Sequence, residues 1–303
     1  MMSGALPVSA APMRFCRALL ACAACLATAG CVSASRPSAE GAGLAQYYSA
    51  LEAGYRSDAR FRNEIDPGIP IDPQTLAHNF MLIAFQSETQ SRNGGILQAG
   101  REIRLSRWEG PIEYSLTGTS QSDEAHLDRL VDRLRVLTRR PISRVGTPDA
   151  ANVSLFVFNA SDRRNLIANT LAGRETSSAD FFRAWTQEPN LPCSGGIVSN
   201  PEIGIISSAI IFLKSELSGD FRRACLTEEF VQAFGLINDS PEVRPSIFND
   251  DQEFIELTRH DEYLLSILYD PRLRVGMTRR EAAPLVEQIA RELITGSDRR
   301  AKL

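Results

Sequence analysis

The sequence predicts an α+β domain, and three observations lead there. A segment with a helical repeat runs from Ser120 to Pro141, and a run of β-branched and aromatic residues covers Asn152 to Phe158. An isoleucine-rich stretch from Glu202 to Lys214 then precedes a second helical segment around Glu228. Strand, helix, strand, further strand and central helix is an α+β order. With 303 residues, 43% hydrophobic and 23% charged, the chain can bury a substantial core.

The first residues belong elsewhere. Arg14 and Arg17 precede an apolar, small-residue run from Ala18 to Ala29, too short to span a bilayer. It ends in Thr28-Ala29-Gly30-Cys31, which resembles the lipobox of bacterial lipoproteins, with Thr28 where leucine is commoner. The resemblance implies removal of residues 1–30, lipidation of Cys31 and a membrane anchor. Val32 after the cysteine favours the periplasmic face of the outer membrane, and an ordinary cleaved signal peptide is the alternative. Removing residues 1–30 takes away two arginines and no carboxylate, so the net charge of −4 becomes more negative by two. An acidic chain without a basic tract is a poor nucleic-acid partner. Of six cysteines, Cys16, Cys22, Cys25 and Cys31 lie in or at the end of the leader. Cys193 and Cys225 remain, and in an oxidising compartment they read as a disulfide.

Residues 31–43, rich in Ser, Ala, Pro and Gly, read as a flexible tether. Residues 44–100 read as an N-terminal helical segment: Leu44, Tyr47, Tyr48, Leu51 and Tyr55 share a face, and a second helix starts near Pro73. Residues 101–303 form the main domain, opening with a turn at Gly110-Pro111 into a strand. Ser120 and Asp123 have capping-box spacing, and Leu127, Leu130, Val131, Leu134 and Leu137 follow at helical intervals. Cys193-Ser194-Gly195-Gly196 reads as a turn into the next strand, and Asn249-Asp250-Asp251 as a solvated loop. A last capped helix begins near Met277 and runs to about Leu293.

Chemistry concentrates in Glu228-Glu229-Phe230-Val231-Gln232-Ala233-Phe234-Gly235-Leu236-Ile237-Asn238. The spacing resembles the metzincin zinc-protease motif H-E-x-x-H-x-x-G-x-x-H, whose first two histidines sit one helical turn apart and whose glycine redirects the chain to the third. Further on, Leu257-Thr258-Arg259-His260-Asp261 with Leu265 and Leu268-Tyr269 is similar to the closing helix of the matrixin branch. Pro245 to Asp250 stands where a Met-turn is expected. The resemblance covers about Trp108 to Tyr269. It implies a zincin-like domain with a mixed sheet and a central degenerate active-site helix, preceded by N-terminal helices, as in uncharacterised bacterial lipoproteins on that scaffold.

The departures fall on the metal. Glu228, Gln232 and Asn238 stand at the three histidine positions and offer one carboxylate and two amides, a poor zinc set. His78, His126 and His260 lie outside the motif, and Ile247 or Phe248 replaces the Met-turn methionine. Glu229 occupies the general-base position, but a lone glutamate does little to water without a metal. The expectation is a non-catalytic pseudo-metalloprotease with no cofactor, holding a protein or peptide ligand in the cleft beside this helix. The alternative is a metal-dependent hydrolase whose zinc or calcium is held by Glu228, Gln232 and Asn238 or Asp239, since oxygen donors suit calcium.

Overall fold

A computed structural model describes residues 39–301 except 64, 66–67, 88–90, 93–95, 98–100, 170–176 and 250. Residues 1–30, expected to be a leader, Cys31, the expected lipidation site, and Asp250 lie outside the described residues. Helix α1 (Ala39–Ser57) comes first, and its start corrects the tether boundary. Residues 39–43 are helical because Ala39, Glu40 and Ala42 are good helix formers and Glu40 sits at the favourable end of the helix dipole. Helix α2 (Pro73–Ala84) starts with proline in its first turn and Asp72 accepting from the Gln74 and Thr75 amides. The segment to residue 100 is not wholly helical, since β1 (Ser91–Arg92) and β2 (Ile96–Leu97) pair as a short hairpin.

The central sheet has five strands: β3 (Ile112–Thr117), β4 (Ile142–Arg144), β5 (Val153–Phe158), β6 (Cys193–Ser199) and β7 (Ile206–Lys214). The spatial order is β4-β3-β5-β7-β6, with β6 antiparallel on the edge and the others parallel. Eight helices and this mixed sheet make up the described architecture. Helix α3 (Gln121–Thr138) connects β3 to β4 and carries the expected Ser120–Asp123 capping box. Helices α4 (Ala160–Asn169) and α5 (Ser177–Gln187) lie between β5 and β6. After β7 come the central helix α6 (Gly219–Gln232), helix α7 (Arg259–Leu268) with its Thr258–Asp261 capping box, and α8 (Arg279–Ala301), longer than its periodicity predicts.

Alternation along β5 and β7 divides the core. Leu155, Val157, Ile211 and Leu213 join the main core with α2, α3, α6, α7 and α8. Phe156, Phe158 and Phe212 face the other way, stack on one another, and meet Phe182 and Trp185 of α5 edge-on or tilted. Both faces of β5 are thus covered, which explains its unbroken apolar run.

Two loop readings change. Cys193 to Gly196 are not a turn but the first half of β6, held extended by pairing with Leu213 to Ile210. Asn249 is fully buried rather than solvated, with its side chain bonded to Glu253 and to the Asp251 amide. Among the described residues, no helix is long and apolar enough to cross a membrane.

Candidate functional site

Helix α6 is fixed from every side. At its start Glu52 of α1 accepts from the Asp220 amide at 3.0 Å, and Tyr48, Tyr55 and Phe61 surround the Phe221 ring. Arg222 donates twice to Asp123 of α3, at 2.7 Å each. Burial pushes the Asp123 carboxyl up, but the Arg222 and Ser120 bonds outweigh it and hold the group below its ordinary range. Cys225 is bonded to Cys193, stapling α6 to the edge strand β6. At the far end Trp108 Nε1 donates to the Ala233 carbonyl at 2.8 Å and the Tyr269 hydroxyl to that of Phe234 at 3.0 Å. These bonds satisfy carbonyls that the helix end leaves open. Gly235, at φ +116°, then turns the chain under the Ser106 carbonyl, where a Cβ would overlap the oxygen.

The motif side chains take separate partners. Gln252 Nε2 donates to Glu228 Oε2 at 3.3 Å. Gln232 places its Nε2 2.9 Å from both oxygens of Asp239. Asn238 turns to the end of α2, where its Nδ2 donates to the Leu82 carbonyl at 3.1 Å and its amide to that of Ile83 at 3.3 Å. Its side chain therefore caps a neighbouring helix. The Glu229 carboxylate lies against β6, so close that a Cβ at Gly195 would stand 2.8 Å from Oε2. The structure thus brings Gln232 to Asp239 and Glu229 to the edge strand, while Glu228 and Asn238 engage other elements. Among the described residues, no group of three His, Cys, Asp or Glu side chains could hold a metal ion.

Of the histidines outside the motif, His78 is exposed, and His126 and His260 are buried structural groups. His126 Nε2 is 2.9 Å from Thr227 Oγ1 and its Nδ1 is 3.4 Å from Glu256 Oε1, the order of a hydroxyl, base and acid. The Thr227 hydroxyl, however, lies in the core, lines neither described cavity and already donates to the Arg223 carbonyl, so its proton is committed to the helix. Burial, with Arg129 and Arg223 nearby, pushes His126 down to about 4. His260 is equally enclosed, against Asn79 at 3.0 Å. Neither arrangement was visible beforehand, because His126 and Thr227 are 101 residues apart and only the fold joins them.

A family model described as a protein of unknown function (DUF2927) matches residues 73–288, more than two thirds of the chain. The chain belongs to the DUF2927 family. Neither a curated protein nor a solved structure matches it. The DUF2927 span opens on the first residue of α2 and closes within α8, taking in the whole five-stranded sheet, α6 and α7. Helix α1 precedes the span yet packs on α6 through Tyr48 and Tyr55.

Proposed function

We propose that this DUF2927 protein is an envelope lipoprotein whose zincin-like domain lacks zinc chemistry and binds an extended peptide along β6, beside Glu229. The observation that carries the reading is the edge. Among the described residues β6 is paired on one side only, with β7. The Pro192 carbonyl accepts from the Lys214 amide, which fixes the alternation. Ser194 and Gly196 then face β7, while Gly195 and Ile197 turn their backbone N–H and C=O outward. Such a row is a ready template for an added strand.

The zincin-like part draws support from the order β3, α3, β5, β7, α6 and from the capped α7, both of which the metzincin resemblance implies. The non-catalytic part draws support from chemistry: one carboxylate and two amides, bonded to Gln252, Asp239 and Leu82, form a poor zinc set. The anchor rests on Arg14, Arg17 and the run ending at Cys31.

Fluorescence polarisation against a library of extended peptides tests the edge. Replacing Ile197 by proline removes an outward N–H and leaves the β7 ladder intact, so peptide affinity should fall about tenfold or more. Undiminished binding with an unchanged circular dichroism spectrum sinks the edge reading. Peptide cleavage that Glu229→Ala abolishes, or zinc held stoichiometrically through dialysis, overturns the non-catalytic reading. Release of Cys31→Ala from the membrane fraction is the expected sign of the anchor.

A further inference from the structure

A cavity of about 550 Å³ lies between α1 and the loop after α5. Its volume falls in the range of small-ligand sites. Leu44 and Tyr47 of α1 form one wall, and Thr186, Pro189 and Asn190 form the other. The Tyr47 hydroxyl donates to Asn190 Oδ1 at 2.6 Å and joins the two walls. The cavity is also lined by two cations that the fold has taken out of water: Arg163, 2% exposed, and Lys214, 0% exposed.

The two cations differ in how they are compensated. Arg163 forms a two-pronged pair with Glu216, at 2.7 and 3.0 Å, and also donates to the Phe158 carbonyl. That pair is electrically closed. Among the described residues Lys214 has no such partner: its Nζ donates to the Glu188 carbonyl at 2.6 Å and lies 5.4 Å from the centre of the Trp185 ring. An ammonium has three N–H donors, so one carbonyl and a ring face leave donor capacity unused. Both Glu216 oxygens are occupied by Arg163, and Glu40, at the rim, pairs with Arg164. The Glu188 side chain is exposed and acts on Lys214 only through space, as the weakest influence on it. Among the described residues Arg163 and Lys214 thus share the one buried carboxylate of Glu216, and a second buried cation without an anion of its own is costly.

We infer that this cavity is a binding site for a small organic acid, whose body lies against Leu44, Tyr47 and Pro189 and whose carboxylate pairs with the Lys214 ammonium as that side chain, enclosed in the empty site, turns toward the cavity it lines. The site lies apart from β6 and stands whether or not peptides bind there. Burial, reinforced by Arg163, pushes Lys214 down to about 8, so the empty site is already losing its charge just above neutral pH.

Calorimetry on the mature chain with acetate, butyrate and benzoate, and with butyramide as an uncharged control, tests the site. Carboxylates should bind and butyramide should not. Because the carboxylate needs the ammonium form, affinity should fall about tenfold between pH 7 and pH 9. Lys214→Met should abolish binding. Gly43 offers a second variant if that one folds poorly: it lines the cavity from helix α1, and a Cβ there meets nothing within 4 Å. Gly43→Trp should fill the space and abolish binding with Lys214 untouched. Equal binding of butyramide and butyrate, affinity unchanged to pH 9, or full affinity in both variants would overturn the assignment.

Discussion

The Glu229 carboxylate rests against Gly195 of the edge strand, in space that any other residue would fill with a side chain. The contact joins Glu229, one of the two motif positions that keep their metzincin letter, to the strand proposed to take a peptide. A Cβ at Gly195 would meet Glu229 Oε2 at 2.8 Å and the Ile210 carbonyl at 3.3 Å, so the carboxylate is the part that must move. In unstrained strand geometry Gly→Ala stabilises by about 0.5–1 kcal/mol. Gly195→Ala should therefore stabilise the Glu229→Ala protein by about that amount and do less, or the reverse, in the wild type. Urea unfolding of the four proteins measures the coupling; additive effects would show that the two residues do not touch in solution.

The staple between β6 and α6 gives a second expectation. Cys193 and Cys225 stand 32 positions apart, and closing that loop contributes on the order of 3–4 kcal/mol in the chain-entropy account. Cys193→Ser with Cys225→Ser should lower the unfolding free energy by about that amount, and reductant should have no further effect on the double variant. In the native protein Cys225 is fully buried, so reduction should require opening of the β6 edge and be slower than for an exposed disulfide.

The fold was most legible where hydrogen bonds are local. Ser120 with Asp123 and Thr258 with Asp261 announce two helix starts because both partners of each cap lie within one turn. Strand β6 was not legible: Cys193-Ser194-Gly195-Gly196 has small side chains and two glycines, with little strand preference of its own. Pairing with the isoleucines of β7 imposes its conformation. Helix α4 was missed too, since Ala160 to Asn169 buries only Ala160, Arg163 and Leu166 and shows no apolar stripe. The candidate site was legible as letters and not as geometry. Motif spacing places Glu228, Gln232 and Asn238 at metal positions, but the Asn238 partner, Leu82, is 156 residues away. The Lys214 cavity gave no sequence signal, because a lysine ending a strand is ordinarily a solvated one.

His126 supplies a pH dependence. Its folded value is pushed down to about 4 from 6.5, so between those limits the unfolded chain takes up a proton that the folded chain refuses. Stability from this group is whole above pH 6.5 and declines as the pH falls toward 4, by on the order of 3 kcal/mol. Glu256, pushed up by burial, takes a proton early in the folded state and offsets part of that loss. Replacing His126 by glutamine keeps a donor for Thr227 and removes the titration. The wild type should lose its stability margin over this variant as the pH falls from 6.5 to 4, and a margin constant with pH would show that His126 is not held neutral.

Gly235 tests the backbone of the degenerate motif. At φ +116°, with the Ser106 carbonyl over the missing Cβ, both conformation and space demand glycine. Gly235→Ala should cost about 3 kcal/mol or more, the upper end of the penalty for one strained residue, because the overlap adds to the strain. Gly196, where a Cβ meets nothing within 4 Å, is the control and should tolerate alanine. Equal stability of the two variants in thermal unfolding would remove the argument that Gly235 survives for the turn alone.

Asn238 separates the structural reading of the motif from the oxygen-ligand reading. Its Nδ2 satisfies the Leu82 carbonyl and its side chain is 8% exposed, so aspartate there sets a buried carboxylate against a carbonyl oxygen. Asn238→Ala should cost about 1 kcal/mol for the lost bond, and Asn238→Asp about 2 kcal/mol or more for the unpaired charge. If Asn238 instead helped Glu228 and Asp239 hold calcium, aspartate would strengthen the site, because added carboxylates raise calcium affinity. Thermal unfolding of the wild type and both variants, with calcium and with chelator, distinguishes the two. The expected result is a destabilised Asn238→Asp protein that calcium does not rescue, and a calcium-dependent rise in its midpoint above the wild type would return the motif to metal binding.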